Sequence, residues 1–151
     1  MKTYLKLATA IALIAIVAAN VLAAPADQPF MKAALTNLKQ AQNFLRRATA
    51  DKGGHRAKAM TLTEDAIKSV NEGIAWDRTH PGSSFVSDDI NDAVMPSDQP
   101  NMVEARNQLQ AALDSLNKAT PNKGGYRERA IELVQGAIGE VNAGIEYDRN
   151  H

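Results

Sequence analysis

Apolar residues recur along two long stretches of this chain with the period of a helix. The first stretch sets Met31, Ala34, Leu38, Ala41, Leu45 and Ala48 at alternating steps of three and four, with mostly polar residues between them. That spacing predicts one helix with a narrow apolar seam. The next stretch sets Ala59, Leu62, Ala66, Ile67, Val70 and Ile74 with helical spacing as well, the adjacent Ala66 and Ile67 interrupting the steps of three and four. Between them stands "DKGGHR", Asp51 to Arg56, where paired glycines supply the positive φ that ends a helix and reverses the chain. Helix, Gly-Gly turn and antiparallel helix form one hairpin.

The pattern then occurs again. Sliding the chain by 71 positions aligns Asp27–His80 with Asp98–His151 without a gap, and 25 of the 54 aligned positions are identical. The seam returns as Met102, Ala105, Leu109, Ala112, Leu116 and Ala119, then Ala130, Leu133, Ala137, Ile138, Val141 and Ile145, with "NKGGYR" at the turn. A long period present only twice marks a duplicated supersecondary unit rather than a solenoid. One hairpin has a single apolar stripe per helix and cannot bury it alone, whereas two hairpins can bury theirs against each other. The prediction is an all-α four-helix bundle made of two duplicated antiparallel helical hairpins, at 27–80 and 98–151. Gly73 and Gly144 repeat inside the last helix of each copy. A mid-helix glycine costs about 1 kcal/mol against alanine, so its recurrence points to close helix packing.

The flanking segments have other characters. Lys2 and Lys6 precede an apolar run from Leu7 to Ala19, and small residues follow at Ala23, Ala24 and Ala26. This predicts a signal peptide at 1–26, cleaved after Ala23 or Ala26, and hence an exported protein, periplasmic or extracellular. The run falls short of the roughly 20 apolar residues of a membrane span, so no stable span is expected after processing. Residues 81–97 form an acidic linker, with Asp88, Asp89 and Asp92 and no Lys or Arg. Ser87 before "DDINDAV" fits the N-cap of a short helix. The linker can cover one end of the bundle or run its length.

Composition narrows the functional classes. Without Lys2 and Lys6 the chain carries 15 basic and 17 acidic side chains, which gives no footprint for nucleic acid. It has no cysteine, so neither a disulfide nor a thiol nucleophile is available. No Gly-x-Ser-x-Gly elbow, phosphate loop or dinucleotide fingerprint occurs, and the expectation is that the protein is not an enzyme.

Three repeated features could carry chemistry. Arg56 and Arg127 open their helices while Asp77 and Asp148 close theirs, the unfavourable sign for the helix dipole at both ends. Crosswise capping within each hairpin would explain them, with Arg56 on the carbonyls near Ala48 and Thr49 and Asp77 on the N–H groups near Gln28 to Met31. Gly53, Gly54, Gly124 and Gly125 would then be turn residues. "DRTH" and "DRNH" place Asp77 with His80 and Asp148 with His151 on one helical face, a spacing suited to a divalent metal such as zinc if all four side chains meet at one end. Finally, His55 and Tyr126 exchange one flat, polar-tipped ring for another, as do Trp76 and Tyr147.

"KGGHR" followed by "AIKSVNEGIAWDR", and "KGGYR" followed by "AIGEVNAGIEYDR", resemble a duplicated pattern of small exported bacterial helical proteins that are themselves uncharacterised. The resemblance spans nearly the whole mature chain and implies a helical exported protein, but brings no activity with it. A looser likeness, to small Ala-rich metal-binding proteins of the bacterial periplasm, is weakened by the presence of only three histidines. The leading expectation is a non-enzymatic exported binding or structural module with no cofactor and an unknown partner. Two alternatives stay open: a periplasmic divalent-metal binder through Asp77, His80, Asp148 and His151, and an envelope-associated homo-oligomer using Trp76, Tyr147 and residues 85–95.

Overall fold

The structure, a computed structural model, describes residues 28–50, 52–80, 98–121 and 123–151. The proposed leader, the linker and its short helix lie outside these residues. Four helices account for the rest: α1 (Gln28–Arg47), α2 (His55–Thr79), α3 (Asp98–Lys118) and α4 (Tyr126–Asn150), with no strand among the described residues. Glycines make both sharp reversals, with φ of 58° and 78° at Gly53 and Gly54 and 60° and 80° at Gly124 and Gly125. These left-handed angles strain any residue that carries a Cβ. The turns close with His55 N–H on the Lys52 carbonyl at 2.9 Å and Tyr126 N–H on the Lys123 carbonyl at 3.1 Å.

The helices pack as a four-cornered bundle in which α1 touches α2 and α3, and α4 touches α2 and α3, while the diagonals α1/α4 and α2/α3 do not meet. Each helix shares its most extensive contact with its counterpart in the other repeat, α1 with α3 and α2 with α4. Direction follows from who meets whom. The first turn lies against the end of α4, since Lys52 pairs with Asp148, and the second turn lies against the end of α2, since Lys123 pairs with Asp77. Every touching pair of helices is therefore antiparallel, and each Gly-Gly turn seats on the open end of the opposite hairpin. An up-down-up-down order would have set both turns at one pole. Instead α2 ends at one pole and α3 begins at the other.

The core is the seam. Met31, Leu38, Leu45, Met102, Leu109 and Leu116 are fully buried, with Ala34, Ala41, Ala105 and Ala112 between them. Burying side chains of the larger kind contributes about 1.5 to 3 kcal/mol each. In the second helix of each hairpin Ala59, Ala66, Val70 and Ile74, with Ala130, Ala137, Val141 and Ile145, are buried as expected, but the seam passes through Thr63 and Val134 in place of Leu62 and Leu133. Thr63 and Val134 are fully buried, whereas Leu62, Ile67, Leu133 and Ile138 are only half-buried and pack along its flank. Thr63 tolerates this because its hydroxyl donates to the Ala59 carbonyl at 2.7 Å, and Leu62 leans over Gly136 of α4.

Gly73 and Gly144 have the packing role their recurrence implies. A Cβ on Gly73 would fall 2.8 Å from Met31 Cε, and one on Gly144 would fall 2.7 Å from Met102 Cε. Each glycine thus seats a buried methionine from the first helix of its own hairpin. Gly139, by contrast, is exposed, with nothing within 4 Å of a built Cβ. Gly139→Ala should therefore raise stability by about 0.5 to 1 kcal/mol, while Leu38→Ala should lower it by about 2 to 5 kcal/mol. Chemical denaturation followed by circular dichroism checks both signs.

Candidate functional sites at the two poles

The residues that the two copies share most closely meet at the poles, in two related clusters. At one pole the Lys52 ammonium pairs with the Asp148 carboxylate. At the other Lys123 Nζ donates to Asp77 Oδ2 at 2.5 Å. The lysine side chains are 3% exposed in each case, and the acids 17% and 10%. A lysine this deep must have a carboxylate beside it, because an unpaired buried ammonium costs several kcal/mol. The pairing also accounts for an acid at the negative end of a helix, since the partner's ammonium outweighs the dipole.

The glycine beside each lysine brings the turn flat against an aromatic ring of the other repeat. A Cβ on Gly53 would sit 2.8 Å from Tyr147 Cδ2, and one on Gly124 would sit 2.9 Å from Trp76 Cδ2. One helical turn further on, His80 stacks on Trp76 with centroids 3.8 Å apart and planes 17° from parallel, and His151 stacks on Tyr147 at 4.2 Å and 12°. Each imidazole also holds the end of its helix, with His80 Nδ1 2.9 Å from the Trp76 carbonyl and His151 Nδ1 3.1 Å from the Tyr147 carbonyl. A carbonyl only accepts, so Nδ1 carries the proton in both contacts. Lysine, glycine, aromatic ring, aspartate and histidine form one clasp between hairpins, made twice.

Arg56 and Arg127 work within their own hairpins. Arg56 Nε donates to the Leu45 carbonyl at 2.6 Å and its Nη2 to the Arg46 carbonyl at 3.1 Å; Arg127 does the same to Leu116 at 2.7 Å and Asn117 at 3.3 Å. These acceptors lie nearer the helix interior than the carbonyls of Ala48 and Thr49 that the sequence pointed to. Asp77 has a partner that the sequence did not point to at all, Lys123 of the other repeat. The aromatic exchange has a local meaning too. His55 Nδ1 lies 2.7 Å from Glu140 Oε2, and the equivalent of Glu140 beside Tyr126 is Ser69, with no charge to match.

The four-ligand metal arrangement is not assembled. Asp77 and His80 stand at one pole and Asp148 and His151 at the other, separated by roughly a helix length, about 35 Å at 1.5 Å per residue. Among the described residues no three or more His, Cys, Asp or Glu side chains gather in a way that could hold an ion. Trp76 and Tyr147, considered above as contacts for a second copy, are engaged by the turns of their own chain, and residues 85–95 lie outside the described residues. Sequence reasoning overlooked Lys52 and Lys123. A signal was present: of all the lysines in the two copies, this is the one position that is lysine in both. No family model matches the chain, and no curated protein and no solved structure shows a significant likeness to it.

Two comparisons test this geometry. Asp148→Asn should cost about 3 kcal/mol, as expected when a buried pair loses one partner, whereas Glu128→Gln, which removes the exposed partner of Arg127, should cost less than about 1 kcal/mol. Gly54→Ala meets nothing within 4 Å and carries only the backbone penalty, about 1 kcal/mol; Gly53→Ala adds a collision with Tyr147 and should be clearly the more damaging of the two. Equilibrium unfolding of the four variants ranks them.

Proposed function

We propose that this is a non-enzymatic exported helical-bundle module whose role is binding or structural. The observation that supports this most is the use of the repeated polar side chains. Lys52, Lys123, Asp77, Asp148, Arg56 and Arg127 recur in both copies, and each has a partner that fastens a turn or a helix end. Their recurrence is thereby explained by architecture, with no need of a substrate. A duplicated scaffold locked at both ends presents its helix exteriors as rigid surfaces, which suits a binding or spacing role.

Export rests on the leader-like start, and the resemblance to small exported bacterial proteins agrees with it. None of the four described helices is long and apolar enough to cross a membrane. Expression of the full chain in a bacterial host, followed by fractionation and mass measurement, should yield a product that begins at Ala24 or Asp27 outside the cytoplasm. An intact chain in the cytosol would contradict this part of the reading. Untagged mature protein titrated with zinc, copper and nickel should give neither saturable heat nor a shift in melting temperature. A saturable site lost in His80→Ala or His151→Ala would replace the present reading with metal binding.

A further inference from the structure

The largest interface in the molecule lies between its two repeats, and the same residues build it from both sides. Each hairpin offers a Lys-Gly-Gly turn to the other's tail and accepts the other's turn on its own Asp and aromatic ring. The two repeats are joined in sequence by residues 81–97, and the helix ends on either side of that segment, at Thr79 and Asp98, stand at opposite poles. Nothing in the contacts themselves distinguishes a sister repeat in the same chain from one in another copy.

The repeats have nevertheless diverged so that each prefers the other to itself. Residues 27–80 carry nine basic and six acidic side chains, and residues 98–151 carry six and eight. The His55–Glu140 contact likewise exists at one pole only, because the opposite pole has Tyr126 and Ser69 at the matching positions. Pairing of unlike repeats gains complementary charge, while pairing of like repeats sets net charge against net charge.

We infer that the inter-hairpin face is an exchangeable docking surface, whose partner is the opposite repeat of a second copy of this chain. Hairpin 27–80 of one copy seats on hairpin 98–151 of the other, and the reverse, to give two complete bundles tied by two crossing connections. Such an exchange creates no new contact type and gives up only the local concentration supplied by the connection, which is of roughly millimolar order for tethers of this kind. The connection is long enough for either outcome, since 17 residues reach roughly 56 Å at 3.3 Å each against about 35 Å from pole to pole. The closed monomer therefore prevails in dilute solution and exchange sets in when the intrachain route is penalised. This inference holds whatever the bundle's surface binds.

The test uses two full-length variants, Lys52→Asp and Asp148→Lys. Each alone sets like charges together at one pole and should melt at lower temperature than the parent. Mixed in equal amounts, unfolded and refolded together, they can restore opposite charges in both bundles only by exchange. In one bundle of the exchanged pair the unaltered Lys52 then meets the unaltered Asp148, and in the other the two substituted side chains face each other with their signs reversed. The expected product is a 1:1 heterodimer of doubled mass by sedimentation, with most of the lost melting temperature regained. Two separate monomer populations, or a mixture that melts no higher than its components, would overturn the inference. A second chain, with 81–97 shortened to about five residues, reaches only about 17 Å at the same rise and should form a helical dimer; a folded monomer or loss of helicity would equally refute exchange.

Discussion

One ammonium buried in each hairpin turn constrains the arrangement of everything else. Lys52 and Lys123 are almost wholly removed from water, and the cost of removing a charge from water is offset only where a carboxylate waits at the right depth. Asp148 and Asp77 occupy those places. Turning one hairpin end for end would gather both lysines at one pole and both aspartates at the other, burying like charges together. The apolar seams alone would not forbid that, since Leu, Met and Ala repeat along both directions of each helix. The ion pairs supply little net stability compared with an apolar filling of the same space, but they select orientation and register, which is the better-attested use of buried charge.

Packing then follows from small residues at specified places. Gly73 and Gly144 make room for Met31 and Met102, and the seam alanines let the first helices of the two repeats run close together. Gly53 and Gly124 combine two duties: a positive φ that reverses the chain and a bare surface against which an aromatic ring lies. Arg56 and Arg127 finish the hairpins by donating to carbonyls in the last turn of their first helices. A turn motif that reads locally as a loop is thus a tertiary contact as well.

The first helices were legible residue by residue, because a strict alternation of three and four with Ala, Leu and Met admits a single buried face. The second helices were less so. Leu62 and Ile67 are more apolar than Thr63, and hydropathy drew the seam through them, whereas the helix buries Thr63 by closing its hydroxyl on its own backbone. At the poles the relevant residue types were visible and their partners were not. Spacing set Asp77 and His80 on one helical face, but His80 lies just past the end of α2 and turns onto Trp76 while Asp77 turns onto Lys123, and spacing within one helix carries no information about which turn arrives from the other repeat. The path of 81–97 depended on that same missing information. Lys52 and Lys123 showed themselves only as lysines retained in both copies, since a buried lysine and a surface lysine look alike in sequence.

The orientation of the two hairpins requires that lysine and aspartate of opposite repeats act on each other. A double-mutant cycle on Lys123→Met and Asp77→Leu, read by equilibrium unfolding, measures that directly. Each single change should cost about 3 kcal/mol and the pair together much less than their sum, for a coupling of about 2 kcal/mol or more. Additive losses, with coupling near zero, would show that the two charges do not meet and would contradict the antiparallel seating of the hairpins.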